Sequence, residues 1–140
     1  MTPIVLDASA VAAWFIPDQA TRSSDELLGR IATVRFLAPC IFPAECRNLL
    51  LKAQRRKVVE EAEADQAIEF LQAIDLSVQA LPDRAGHDHA LSLARRQGLS
   101  FYDALYLKVA LEAAAAIASR DGALLQAAER CGLVAIDLRE

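Results

Sequence analysis

Short apolar runs alternate with longer amphipathic segments along the chain, and this alternation restricts the possible folds more than any other feature. Most of the runs are too short for a buried helix and lie between turn-forming residues, which is typical of strands buried on both faces. The predicted strands cover residues 3–6, 34–38, 115–118 and 133–136, with an alternating segment at 76–80. The predicted helices cover residues 8–14, 20–31, 43–57, 60–74, 83–97, 103–113 and 123–130. Strands that alternate with helices predict an α/β fold with a mostly parallel sheet covered on both faces.

Length and composition narrow the class of protein. A chain of 140 residues with 54% hydrophobic and 24% charged residues predicts one globular domain over residues 1–140. No apolar run approaches the ~20 residues of a membrane span, and we see no secretion signal at the N-terminus. The three cysteines, Cys40, Cys46 and Cys131, lack the spacing of a zinc site. They predict free thiols in a reducing, cytoplasmic environment.

Acidic residues follow two of the predicted strands at the point where each strand ends. Asp7 follows the first strand, and Asp121 follows the strand at 115–118. Ligands of open parallel sheets bind beyond the carboxyl ends of strands, where the strand order reverses. If these two strands are neighbours, Asp7 and Asp121 face one crevice. Asp103 is predicted to start the helix that leads into the second of them, and Glu45 lies near the start of its own helix.

Several carboxylates in one crevice repel each other and stay ionised together only when a cation compensates them. Oxygen-only ligands suit Mg²⁺ or Mn²⁺, which can activate a water molecule against a phosphodiester. The formal net charge of −4 argues mildly against nonspecific binding to nucleic acid. That argument is weak, because a metal ion at the acidic cluster would offset its repulsion of a substrate.

Each acid also has a purely structural interpretation. Asp7, Asp103 and Asp121 all precede or begin predicted helices, where Asp is a preferred N-cap. Glu45 in a first turn complements the helix dipole in the same way. The inference of a metal site therefore depends on the combination of the four acids.

Four segments together resemble the PIN-domain family, and in particular the VapC toxins of bacterial toxin–antitoxin pairs. In chain order they are VLDASAV at residues 5–11, FPAE at 42–45 with NLL at 48–50, LSFYDALY at 99–106, and IASRDGALL at 117–125. The third segment is the most specific of the four. The resemblance extends from about residue 4 to residue 137.

The resemblance implies a three-layer α/β/α sandwich around a mostly parallel, five-stranded sheet. It implies a Mg²⁺ or Mn²⁺ site formed by Asp7, Glu45, Asp103 and Asp121, and endonucleolytic cleavage of RNA. It also implies a VapB-like antitoxin partner and a homodimer. The family often has Thr two residues before its last acid, where this chain has Ser119. A hydroxyl is retained there, so a supporting hydrogen bond is still expected.

Other residues near the motifs have two interpretations. Ser9 either supports the metal site or bonds the backbone of the new helix. Asn48 lies three residues after Glu45 on the same side of the helix, and the resemblance favours a role in orienting Glu45. Trp14, Phe15, Tyr102 and Tyr106 are predicted to pack rather than bind, and His87 and His89 to lie on the surface.

The basic run at the end of the third helix is also ambiguous. Lys52, Arg55, Arg56 and Lys57 either contact RNA phosphates or form a solvated helix end. Arg95 and Arg96 have the same two interpretations.

The leading hypothesis from the sequence is a toxin endoribonuclease that uses metal-activated water. The alternatives are a PIN nuclease with a housekeeping role in RNA processing, and a non-catalytic PIN module that binds RNA or protein. An unrelated α/β domain whose acids are only caps is the last alternative.

Overall fold

The computed structural model describes residues 2–140. Within that range the chain forms five short strands, seven α-helices and a 3-10 turn at Pro17–Gln19. The strands are β1 (Ile4–Leu6), β2 (Phe36–Ala38), β3 (Leu76–Val78), β4 (Ala116–Ser119) and β5 (Ala135–Asp137). The helices are α1 (Ala8–Phe15), α2 (Arg22–Gly29), α3 (Phe42–Arg55), α4 (Glu61–Ala73), α5 (Arg84–Gln97), α6 (Phe101–Ala113) and α7 (Gly122–Arg130). None of these helices is long and apolar enough to cross a bilayer.

The strands form one parallel sheet in the order β3-β2-β1-β4-β5. From β1 the chain builds outward through β2 to β3, and it then crosses to the other side of β1 to add β4 and β5. The strand order therefore reverses between β1 and β4, where parallel sheets bind their ligands. The predicted α/β fold with a parallel, five-stranded sheet is confirmed.

The centre of the sheet is the centre of the hydrophobic core. Every residue of β1, β2 and β4 is buried, as the short apolar runs predicted. Helix α1 packs on α2, α3 and α4, whereas α6 packs on α5 and α7, and both α1 and α6 contact the sheet. The result is three layers in which strands without an exposed face are buried on both sides.

Helix starts differ from the sequence-based expectation where a side-chain cap sets a different first residue. Helix α6 begins at Phe101 and not at Asp103, because the Ser100 hydroxyl accepts a hydrogen bond from the Asp103 backbone N–H at 3.1 Å. Helix α2 begins at Arg22, behind a capping box made by Thr21 and Ser24. Side-chain caps thus fix boundaries that periodicity alone leaves uncertain.

The last strand also differs from its prediction of 133–136. Strand β5 covers Ala135–Asp137, and Val134 is 67% exposed. Because β5 is an edge strand, its register follows from pairing with β4, in which Ile117 lies opposite Ala135. The apolar run before it therefore does not define the strand.

Candidate metal centre

Asp7 and Asp121 follow the carboxyl ends of two neighbouring strands, β1 and β4. Strands β1 and β4 are hydrogen-bonded neighbours, with Leu6 opposite Ala118. The ladder ends with the Asp7 backbone N–H donating to the Ala118 carbonyl at 3.1 Å. The condition under which Asp7 and Asp121 would face one crevice is therefore met.

Glu45 and Asp103 approach the same place from the first turns of two helices. Glu45 lies in the first turn of α3, after Pro43, and Asp103 lies in the first turn of α6. All four acids line one cleft with a volume of about 360 Å³. The other residues of its wall are Ala8, Ser9, Ala12, Asn48, Leu49 and Lys52.

The four carboxylates line this cleft but do not converge on one point. Within residues 2–140, no three Asp, Glu, His or Cys side chains are arranged as a ready cage for a metal ion. Asp7 is buried, whereas Glu45, Asp103 and Asp121 are partly exposed to the cleft. An ion here would contact some of these oxygens and keep water on its other positions, which is the mode that Mg²⁺ prefers.

Two serine hydroxyls hold the buried carboxylate of Asp7. Ser9 Oγ donates to Asp7 Oδ2 at 2.6 Å, and Ser119 Oγ donates to the same oxygen at 2.7 Å. Each hydroxyl also accepts a backbone N–H, from Arg120 at 2.8 Å and from Asp121 at 2.9 Å respectively. The predicted hydroxyl contact of Ser119 is therefore present, and the Ser9 hydroxyl bonds Asp7 and the backbone of Arg120 rather than the backbone of its own helix.

The capping interpretation holds for only one of the three aspartates. Asp121 caps α7, since its Oδ1 accepts from the backbone N–H groups of Ala123 at 2.9 Å and Leu124 at 3.2 Å. Asp7 occupies the N-cap position of α1 but makes no side-chain cap bond. Asp103 lies inside α6, where Ser100 is the cap. A side-chain cap bond thus accounts for Asp121 but for neither Asp7 nor Asp103.

Burial and mutual repulsion both disfavour charge at this site. Loss of solvent raises the pKa of Asp7 and of Glu45, and the proximity of other acids raises each further. The pKa of Asp103 rises to about 6 because of burial, with repulsion from Asp121 and Asp7 adding to the effect. A cluster that resists ionisation in this way fits a divalent cation, and its oxygen-only donors suit Mg²⁺ or Mn²⁺.

Tyr106 is a site residue that the sequence analysis missed. Its hydroxyl donates to Glu45 Oε1 at 2.6 Å, although the residue was predicted only to pack. Asn48, which was expected to orient Glu45, lies exposed on the cleft wall. A usable signal was present, because Tyr106 lies one helical turn after Asp103 and a buried tyrosine needs a hydrogen-bond partner.

The Ser119→Ala substitution is expected to lower both stability and any activity of the site. It removes one donor to Asp7 and leaves the backbone N–H of Asp121 without its acceptor, at a cost of about 1–2 kcal/mol. Supporting contacts of metal ligands typically affect activity by roughly tenfold or more. Urea unfolding and cleavage rates test this, with Ser119→Thr as the variant that keeps the hydroxyl. Equal stability of Ser119→Ala and the wild type would contradict the assignment.

Metal-free protein is expected to lose stability as the pH rises through about 6. The pKa of Asp103 is higher in the folded chain than its ordinary value of 3.8. The stability that its protonated form contributes is thus complete below about pH 4 and lost as the pH rises through 6. Melting curves in chelator at pH 5 and pH 7.5 test this in the wild type and in Asp103→Asn. The variant should lose less stability over this interval, and an identical loss in both proteins would contradict the prediction.

Residues 4–130 match the family model described as PIN domain. Ribonuclease VapC3 from Pyrobaculum aerophilum is 27% identical over 107 residues, which cover 76% of this chain and 80% of that relative.

Two solved structures share the fold. The Pyrobaculum aerophilum protein PAE2754 superposes with a TM-score of 0.73 at 23% identity, over 96% of this chain and 90% of that chain. A chain of the VapBC2 structure from Rickettsia felis superposes with a TM-score of 0.66 at 12% identity. That structure was solved with the VapBC2 proteins bound to a DNA fragment from their promoter. That match covers 96% of this chain and 97% of the other. At these identities the likeness concerns the fold alone.

Proposed function

Because the chain belongs to the PIN domain family, we propose that it is a metal-dependent endoribonuclease whose active site is the cleft of Asp7, Glu45, Asp103 and Asp121. One observation carries the proposal: the four acids of four separate segments line a single cleft, at the point where the strand order reverses. The relative named Ribonuclease VapC3 supports RNA as the substrate.

The residues of the cleft have distinct roles in this proposal. Asp7, Glu45, Asp103 and Asp121 would hold Mg²⁺ or Mn²⁺, which when bound supplies Lewis acidity towards a phosphodiester and an acidified water. Ser9 and Ser119 fix the orientation of the Asp7 carboxylate through Oδ2. Tyr106 fixes Glu45 through Oε1 in the same way. Ligands held in advance need not reorganise when an ion and a substrate arrive.

We further propose that the chain is the toxin of a VapBC-type toxin–antitoxin pair and that it forms a homodimer in the cytoplasm. The likeness in fold to VapBC2 supports a protein partner of the VapB type. Expression of the chain alone should then arrest growth, and co-expression with a neighbouring antitoxin gene should relieve the arrest. A housekeeping nuclease would cleave RNA without this growth arrest.

Cleavage of a total RNA pool by the purified chain tests the proposed activity. The reactions contain Mg²⁺, Mn²⁺ or chelator, and an Asp7→Asn protein is prepared in parallel. Discrete fragments that need metal and are absent with Asp7→Asn would support the nuclease. Equal products from both proteins would identify a contaminant, and an absence of products would favour a non-catalytic binding module.

A further inference from the structure

A second groove adjoins the carboxylate cleft along helix α3. It has a volume of about 330 Å³ and is lined by Ala12, Ile16, Gln19, Leu49, Lys52, Arg55 and Arg56. Ala12, Leu49 and Lys52 also line the carboxylate cleft. The two depressions therefore share a wall, and we refer to them together as the α3 channel.

The charge of the α3 channel reverses along its length. The first part contains the four acids, whereas the second contains Lys52, Arg55 and Arg56 and no acidic side chain. These three cations are exposed, and none of them belongs to an ion pair found among residues 2–140. Unpaired cations along a groove are free to bind an anion from solution.

Helical geometry places both parts of the α3 channel on one face of α3. Glu45 and Lys52 are seven residues apart, and Arg56, the C-cap of α3, follows four residues later. This spacing returns each side chain to the same side of a helix. At 1.5 Å per residue, the distance along the axis from Glu45 to Arg55 is about 15 Å. That length accommodates a few nucleotides of a stacked strand.

We propose that the basic part of the α3 channel binds the backbone phosphates of a single-stranded RNA whose scissile bond lies in the acidic part. This inference rests on the proposed ribonuclease function. A single row of cations matches the single phosphate backbone of an unpaired strand. The apolar residues Ala12, Ile16 and Leu49 can contact its bases or riboses. Such contacts position the strand without reading its sequence.

A simpler explanation for the cations is the end of the helix itself. Positive side chains in a last turn complement the helix dipole whatever lies beside them. Helix α5 provides a matched control, since Arg95 and Arg96 form an adjacent pair in its last turn. Both are exposed, and they line neither part of the α3 channel.

Two charge-matched double variants separate the explanations. Arg55→Gln with Arg56→Gln removes two charges from the α3 channel, and Arg95→Gln with Arg96→Gln removes two elsewhere. With Mg²⁺ and a single-stranded RNA that the wild type cleaves, the first variant should raise KM by roughly fivefold to tenfold with kcat unchanged. The α5 variant should match the wild type within about twofold. Arg55→Lys with Arg56→Lys keeps the charge and should restore most of the affinity.

A binding measurement tests this inference independently of the cleavage activity. In chelator, fluorescence anisotropy with a labelled mixed-sequence RNA strand gives Kd at several salt concentrations for each protein. The channel variant should bind about fivefold or more weakly, and its salt slope should be shallower by roughly 1.4, which is the loss of two phosphate contacts. Thermal melts check that both double variants fold equally well.

The outcomes are distinguishable. An unchanged KM and Kd for the channel variant, or equal losses in both double variants, would overturn the inference while leaving the nuclease intact. If the channel variant keeps its RNA affinity but loses an antitoxin, the groove binds an acidic protein segment and the inference is wrong. If the wild type cleaves no RNA with any metal, the proposed function fails, and the Kd comparison still decides whether the α3 channel binds RNA.

Discussion

Asp7→Asn and Asp103→Asn are each expected to abolish metal-dependent RNA cleavage while leaving the fold intact. Both acids line the cleft, neither caps a helix, and burial and repulsion raise the pKa of each. Loss of a contact that only supports a metal ligand already reduces activity by about tenfold to a hundredfold. Loss of a ligand charge should therefore reduce cleavage by at least about a hundredfold. Initial rates on a defined RNA with Mg²⁺ and with Mn²⁺ measure the effect.

An aspartate outside the cleft provides the control for this experiment. Asp83 caps α5, with its Oδ1 accepting from the Gly86 backbone N–H at 2.8 Å. The Asp83→Asn substitution keeps an acceptor and makes the same change in charge, so cleavage should stay within about twofold of the wild type. Normal cleavage by purified Asp7→Asn or Asp103→Asn would remove these residues from the active site.

The sequence predicted the part of the site that depends on sheet topology. Apolar runs that end at Asp7 and at Asp121 were sufficient to place two acids at the carboxyl ends of strands, and the structure makes those strands neighbours. This succeeded because a strand buried on both faces is recognisable from composition alone. The parallel arrangement then follows from the alternation of strands with helices.

The sequence could not distinguish which aspartates are caps. Asp7 and Asp121 both follow a strand and precede a helix, so their local patterns are the same. In the structure Asp121 bonds the first turn of α7, whereas Asp7 turns to the hydroxyls of Ser9 and Ser119. Ser119 lies 112 residues away along the chain, so the difference comes from tertiary contact and not from propensity.

The α3 channel also depends on tertiary contacts that the local sequence does not reveal. From the sequence alone, the basic run could either contact RNA or lie in solvent. The residues that face it across the groove come from α1 and the turn after α1, which are distant in the sequence. Only the packing of α1 on α3 makes Lys52 part of both walls. The partner of Glu45 was missed for a related reason, since Tyr106 follows it by 61 residues.

Metal binding should stabilise the folded chain, and the Asp7→Asn substitution should remove this effect. An ion that binds only the folded state at a hundredfold excess over its Kd contributes about 2.7 kcal/mol. For a domain of this size that corresponds to a rise in Tm of roughly 10 °C. In chelator, Asp7→Asn should melt at the same temperature as the wild type or higher, because the variant loses a repelling charge and keeps an acceptor for the two serine hydroxyls.

The two explanations for Asp7 predict opposite results in this melting experiment. A helix-start role for its charge would make Asp7→Asn less stable than the wild type in chelator, by up to about 1 kcal/mol, and would leave the rise with Mg²⁺ or Mn²⁺ intact. A ligand role predicts equal or higher stability in chelator and no rise with metal. A full rise of Tm in Asp7→Asn would mean that other acids of the chain hold the ion, and Asp7 would lose its assignment as a ligand even if the protein cleaves RNA.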